Sequence, residues 1–337
     1  MWRLLRWLLR VVGLALVALA LVVGVAWWQV RTVPDNPNVQ FGVTFASKRA
    51  ADLYGLDPKN VYLAILDDLG ARRLRLVAYW DQIEKERGAY DWSLLDFQVE
   101  EAGKRNAQVL LATGWRLPGW PECHAPGWAG ALAAAERDER VVAFTRAVVE
   151  RYRSSKAIWA WQVENEPYLG GFGECPGYNA DLVDREAKAV RELDDRAIVV
   201  TDSGELGRWW RAARRADIFG TTMYRTVWDR RIGYVHYPMG PIFFRIKAWI
   251  VKRLTSVKRI IVVELQGEPW GPKQNPELSL EEMAKSMNPE KLRDMVRFER
   301  DTGFDEAYFW GAEWWYWMKV KQGKPEMWEE ARELFVG

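Results

Sequence analysis

Between residue 40 and the C-terminus, short apolar runs rich in β-branched residues alternate with amphipathic stretches, and the alternation occurs eight times. The runs are 40–46, 72–79, 107–114, 158–166, 197–204, 217–224, 259–266 and 306–314, each of strand length. Helical patterns lie between them at 94–105, 140–152, 180–193, 209–216, 243–254 and 281–302, with a last helix at 325–335. Eight strand–helix units predict an α/β fold of the (β/α)8 TIM-barrel type. An open doubly wound sheet is the rival. It would need a glycine-rich phosphate loop after the first strand, where Phe41-Gly-Val-Thr-Phe45 instead runs into Ala46-Ser-Lys48. A chain of 337 residues is compatible with one such barrel as a single domain.

The first 39 residues do not share this pattern. Arg3, Arg6 and Arg10 precede 18 uncharged residues, 11–28, that end in Trp27 and Trp28. An 18-residue helix covers roughly 27 Å, near the hydrocarbon thickness of a bilayer, and the arginines mark its cytoplasmic end. Residues 1–28 therefore read as a transmembrane signal-anchor, 29–39 as an extended linker containing Pro34 and Pro37, and 40–337 as an extracytoplasmic domain. Small residues at Ala15, Ala18 and Ala20 leave a cleaved signal peptide, and hence a secreted protein, as the alternative. An oxidising compartment also changes the meaning of the only two cysteines. Cys123 and Cys175 fall just beyond consecutive predicted strands on one face, and a disulfide is expected between them.

Charge and composition narrow the function. Forty-eight Lys and Arg against 46 Asp and Glu give a net charge of +2, too weak a field to recruit nucleic acid. Two histidines, His124 and His236, and two cysteines supply no transition-metal ligand cluster, so no metal and no cofactor are expected. The 21 tryptophans are in excess. Most should fill the core or sit at a membrane interface, and the remainder should line a cleft as apolar platforms for sugar rings.

In a (β/α)8 barrel the carboxyl ends of the strands build the active site. The fourth run ends in Trp161-Gln-Val-Glu-Asn-Glu-Pro167 and the seventh in Ile261-Val-Val-Glu-Leu-Gln266, so each brings a carboxylate to the same rim. Acetal cleavage needs a proton donor for the leaving oxygen and a second carboxylate on the other side of the anomeric carbon. Two carboxylates about 5–5.5 Å apart repel, so that one ionises and the other keeps its proton. Glu268 competes with Glu264 for the second role, but it lies in a Gly-Glu-Pro turn, whereas Glu264 directly ends the apolar run 260–263. Glu164 shares the strand parity of Glu166 and reads as a buried structural carboxylate one layer deeper; Glu313 is ambiguous in the same way.

Asn165-Glu166-Pro167 on strand four, together with Glu264 on strand seven, resembles the retaining glycoside hydrolases of the (β/α)8-barrel clan A type, over nearly all of residues 40–337. The resemblance implies that Glu166 is the acid/base and Glu264 the nucleophile. It further implies that Arg75 orients the nucleophile, that Tyr224 lies beside it, that Asn165 meets the sugar 2-hydroxyl and that Trp310 is a sugar platform. Trp115 is a second candidate platform, and His124 a candidate polar contact or a solvated loop residue. The segment 80–96 resembles the second loop of clan β-galactosidases and β-xylosidases, and it and 224–240 are long enough to wall a cleft. The expected partners are an oligo- or polysaccharide and, through the N-terminal helix, a lipid bilayer. A transglycosylase on the same site and a non-catalytic glycan-binding barrel remain open at this point.

Overall fold

The computed structural model describes residues 2–335. In chain order its strands are β1 (Gln40–Phe45), β2 (Arg73–Val77), β3 (Gln108–Thr113), β4 (Ile158–Val163), β5 (Ala197–Asp202), β6 (Ile218–Met223), β7 (Thr226–Asp229), β8 (Gly233–His236), β9 (Arg259–Gln266) and β10 (Glu306–Trp310). Eight of them form a closed parallel barrel in which β10 returns beside β1, Gln40 opposite Glu306. All eight predicted runs supply a barrel strand. β7 and β8 pair as an antiparallel hairpin in the 224–240 stretch and were not anticipated.

Leu110, Ala160, Val199, Ile261, Val263 and Tyr308 pack together inside the barrel. The larger core lies between strands and helices and contains Trp80, Trp161, Trp209, Trp314, Trp315 and Trp328, all fully buried. At about 25 cal/mol per Å² and on the order of 200 Å² per indole, each contributes roughly 5 kcal/mol as an upper bound. Much of the tryptophan excess is therefore core packing.

Two predicted boundaries shift for local reasons. The stretch 281–302 is two helices, Leu280–Ser286 and Pro289–Thr302. Pro289 disfavours helix at the residue before it, and the Asn288 side chain accepts from the Lys291 N–H at 2.9 Å to start the second helix. The predicted eighth strand, 306–314, stops at Trp310. Gly311 sits at φ +120°, where a Cβ would come within 2.5 Å of Glu268 Cβ, and the helix Ala312–Lys321 follows. Glu313 and Trp314 are thus helical, and Glu313 accepts the Ala46 N–H at 2.5 Å.

At the N-terminus one helix runs Trp2–Arg31, of which Arg10–Arg31 is long and apolar enough to cross a membrane. Its last turn docks on the barrel. Gln29 Oε1 accepts from Trp249 Nε1 at 3.0 Å and Arg253 Nη2 at 2.6 Å, and Val30 is buried. The following residues are also tied down: Asn36 Nδ2 donates to the Phe304 carbonyl at 2.8 Å and its backbone N–H to that of Arg300 at 2.9 Å.

Candidate active site

Strand four delivers its carboxylates through an unusual backbone. Glu164 and Glu166 have φ of +58° and +44°, and Glu122 on the loop after β3 has +73°. These are three of the five non-glycine residues with positive φ among the described residues, so backbone strain of about 1–3 kcal/mol per residue gathers around one site. The Glu166 N–H donates to Thr201 Oγ1 at 2.8 Å, which fixes the turn against β5. Glu166 Oε1 accepts from Thr222 Oγ1 on β6 at 3.2 Å.

Thr222 is the register partner of Glu264 on β9. The pairing skips a residue here, from Thr221 with Val262 to Thr222 with Glu264, which leaves Val263 as a bulge. Ile261 and Val263 both face the barrel interior, so simple alternation would turn Glu264 outward. The bulge re-aims it into the site. There both its oxygens are held: Arg75 Nη1 donates to Oε1 at 2.9 Å and Tyr224 OH to Oε2 at 2.9 Å.

Arg75 is fully buried and uses every face of its guanidinium. Nη1 also donates to the Val263 carbonyl at 3.2 Å, Nε to Gln162 Oε1 at 2.7 Å and Nη2 to Asn165 Oδ1 at 2.7 Å. Asn165 is thereby fixed with Oδ1 among donors, including Thr201 Oγ1 at 3.3 Å. Its Nδ2 donates to Glu122 Oε2 at 3.3 Å, which leaves the second N–H for a ligand.

The two strand-end glutamates have opposite environments. Glu166 is held well above the usual carboxylate range, first by burial and then by the negative charges of Glu264, Glu122 and Asp202. Its Oε2 takes no hydrogen bond from a described residue. Glu264, by contrast, is saturated by an arginine and a phenol. One carboxyl thus sits in a buried, negatively charged surrounding, and the other has a donor on each oxygen.

The remaining predicted residues fall as follows. Trp310 borders the site, its Nε1 donating to Glu268 Oε1 at 2.9 Å with the Arg49 guanidinium over its ring at 5.1 Å. Glu268 is occupied by Arg49, Tyr54, Asn275 and that indole, which accounts for both its oxygens. Trp115 does not join the group: it is buried between the Arg137 guanidinium at 4.3 Å and Tyr178 at 5.5 Å. His124 is buried rather than solvated, packed edge-on against Tyr79 with Nε2 2.9 Å from the Gly119 carbonyl; burial and Lys48 lower its pKa to about 4. Glu164 is structural, as its sequence position suggested, but it does not point inward. Its carboxylate takes the N–H groups of Trp115 and Arg116 at 2.8 and 2.7 Å and hydrogen-bonds Glu186 on the helix Leu182–Arg191 outside the barrel.

Tertiary structure adds groups that no sequence signal marked. Trp120, Phe172 and Trp270, from the loops after β3, β4 and β9, form a contiguous aromatic row with centroid spacings of 6.1 and 6.0 Å, and Trp270 meets Tyr224 at 5.3 Å. Trp120 is 51% exposed and is the free platform of this rim. Cys123 and Cys175 are bonded, with Cα atoms 5.2 Å apart, and tie the loops after β3 and β4 together. Among the described residues no group of three His, Cys, Asp or Glu side chains is placed to hold a metal ion.

Comparison with known proteins agrees with this geometry at the level of fold. No protein-family model matches the chain. It is 25% identical over 130 residues to mannan endo-1,4-β-mannosidase F of Aspergillus clavatus, a match covering 36% of this chain and 28% of that protein. The chain thus spans less than a third of the length of that relative. Among solved structures, the β-galactosidase of the Antarctic haloarchaeon Halorubrum lacusprofundi superposes with a TM-score of 0.58 at 14% identity, over 88% of this chain and 57% of that one. Xylanase 10B of Thermotoga petrophila RKU-1 gives 0.55 at 19% identity, over 81% and 82%. These structures share the (β/α)8 barrel fold with this chain.

Proposed function

We propose that the protein is a retaining β-glycosidase that works by double displacement with Glu166 and Glu264. The observation that carries this is the contrast between the two carboxyls. Glu264 has both oxygens held by Arg75 and Tyr224, while Glu166 is held above the usual carboxylate range by burial and by the charge of Glu264, leans on the register partner of Glu264 and keeps one oxygen unbonded.

In the first step Glu166 gives its proton to the glycosidic oxygen as Glu264 attacks the anomeric carbon; the bond to the leaving group breaks and a glycosyl ester of Glu264 forms. Glu166, now a carboxylate, takes a proton from water, whose oxygen attacks the same carbon and releases Glu264. Two inversions retain the configuration. Arg75 and Tyr224 stabilise Glu264 both as the attacking and as the departing anion. The second Asn165 N–H has no partner in the site and is the donor available to a sugar 2-hydroxyl.

The N-terminal helix is read as a retained anchor. Its docking through Gln29 and Val30 onto the barrel gives its last turn a structural partner, which a segment destined for removal does not need. The chain enters β1 at the end of the barrel opposite the carboxylate rim. The disulfide fits an oxidising, extracytoplasmic compartment.

The test is Glu264→Ala assayed on an aryl β-glycoside with an activated leaving group. Turnover should fall by several orders of magnitude, and added azide should restore part of it with inverted product. Full activity in this variant means that the nucleophile lies elsewhere.

A further inference from the structure

Glu122 belongs to the carboxylate cluster but has no part in the two displacement steps. It is 4% exposed, and the strongest like-charge repulsion on it comes from Glu264. Oε2 accepts the Asn165 amide at 3.3 Å. Oε1 takes no hydrogen bond from any described residue, yet it is not among the polar atoms sealed from solvent. Glu166 Oε2 is in the same condition, and the charge of Glu122 also acts on Glu166.

The simplest structural role, as counter-ion to Arg116, fits poorly. Arg116 Nε stands 3.9 Å from Glu122 Oε2, too far for a hydrogen bond, and its other nitrogens donate to the Leu169 and Phe172 carbonyls at 3.0 and 3.1 Å. The backbone meanwhile goes to some length to hold this side chain in place. Glu122 sits at φ +73°, its N–H bonded to the Gly119 carbonyl and its carbonyl to the Leu117 N–H, both at 2.7 Å. The Glu174 N–H bonds the Pro121 carbonyl at 2.9 Å, and any Cβ on Gly173 would lie 2.8 Å from Glu122 Cβ. The disulfide begins at the next residue. Strain that is over-determined in this way points to a side chain whose position matters.

We propose that Glu122 is a substrate-binding residue that takes a ring hydroxyl, at carbon 2 or 3, of the pyranoside seated over Glu264. The placement follows from Asn165: its Nδ2 touches Glu122 and has one N–H left for the sugar, so the open Glu122 oxygen lies beside the hydroxyl next to the one Asn165 binds, or shares it. Burial and the neighbouring charge push Glu122 up to about 8, so below that pH it can donate as well as accept. A hydroxyl of the other configuration at that carbon would leave a buried acid unpaired, which makes the residue a selector among epimeric sugars.

The experiment compares wild type, Glu122→Gln and Glu122→Ala by kcat/KM on the best-cleaved aryl β-glycoside and on its 2-deoxy and 3-deoxy analogues, with thermal melts confirming folding. Glu122→Ala should lose roughly 10- to 100-fold on the parent but little on the one analogue lacking the partner hydroxyl, and Glu122→Gln should recover part of the loss. Equal losses on the parent and both analogues, or none on the parent, would overturn the role. Rescue of Glu122→Ala by azide would also overturn it, by making Glu122 the acid/base. The proposal rests on Glu264 as nucleophile: full activity in Glu264→Ala removes that reading, whereas an inactive Glu264→Ala with a flat Glu122 pattern removes only this one.

Discussion

The disulfide offers the most direct quantitative test, because its two effects can be separated. Cys123 and Cys175 are 52 residues apart in sequence. Closing a loop of that length in the unfolded chain is worth about 4 kcal/mol in the chain-entropy account. For a barrel of roughly 300 residues, with an unfolding entropy of about 2.1 cal/mol/K per residue, this corresponds to a Tm lowered by about 6 °C. Site geometry should change much less. The two loops also meet through the Glu174 N–H on the Pro121 carbonyl, the Asn165 N–H on the Arg116 carbonyl at 2.6 Å and the Arg116 side chain on Leu169 and Phe172. The Cys123→Ser, Cys175→Ser double variant should therefore melt about 6 °C lower and keep kcat within a few-fold at temperatures where it is folded. An unchanged Tm would refute the entropy argument. An unchanged Tm with a hundredfold loss of kcat would show that the bond holds the loops in register instead.

Two further outcomes follow from the charges and from the anchor. Burial lifts Glu122 and Glu299 to about 8 and Glu164, Glu205 and Glu313 to about 7. The folded protein then binds more protons than the unfolded chain between about pH 4.3 and 8, so stability is full below that window and declines as pH rises through it, by up to about 1.4 kcal/mol per pH unit for each such group. Melts at constant ionic strength should give a lower Tm at pH 8 than at pH 5, and a flat or rising Tm would contradict these raised values. A retained anchor predicts that the expressed protein stays with membranes through alkaline carbonate washing, while a version starting at residue 34 is released; release of both would favour the cleaved leader.

What the sequence determined is what repeats locally. Strand and helix periods are short-range, so eight alternations were readable, and with them the rim on which Asn165, Glu166 and Glu264 stand. Chain breaks with their own chemistry, Asn288-Pro289 and Gly311, were present in the sequence too but were masked by the apolar patterns running across them. Alternation alone would have pointed Glu264 away from the site; its direction depends on the bulge at Val263, which exists only because β6 and β9 pair with one residue skipped. The roles of Trp115 and Glu122 were likewise decided in three dimensions. They lie on one loop after β3, whose course is set by a carboxylate from β4 capturing two of its N–H groups and by a disulfide 52 residues long. No periodicity encodes such a loop. Its residues take their meaning from partners distant in the chain, and closing the barrel is what brings those partners together.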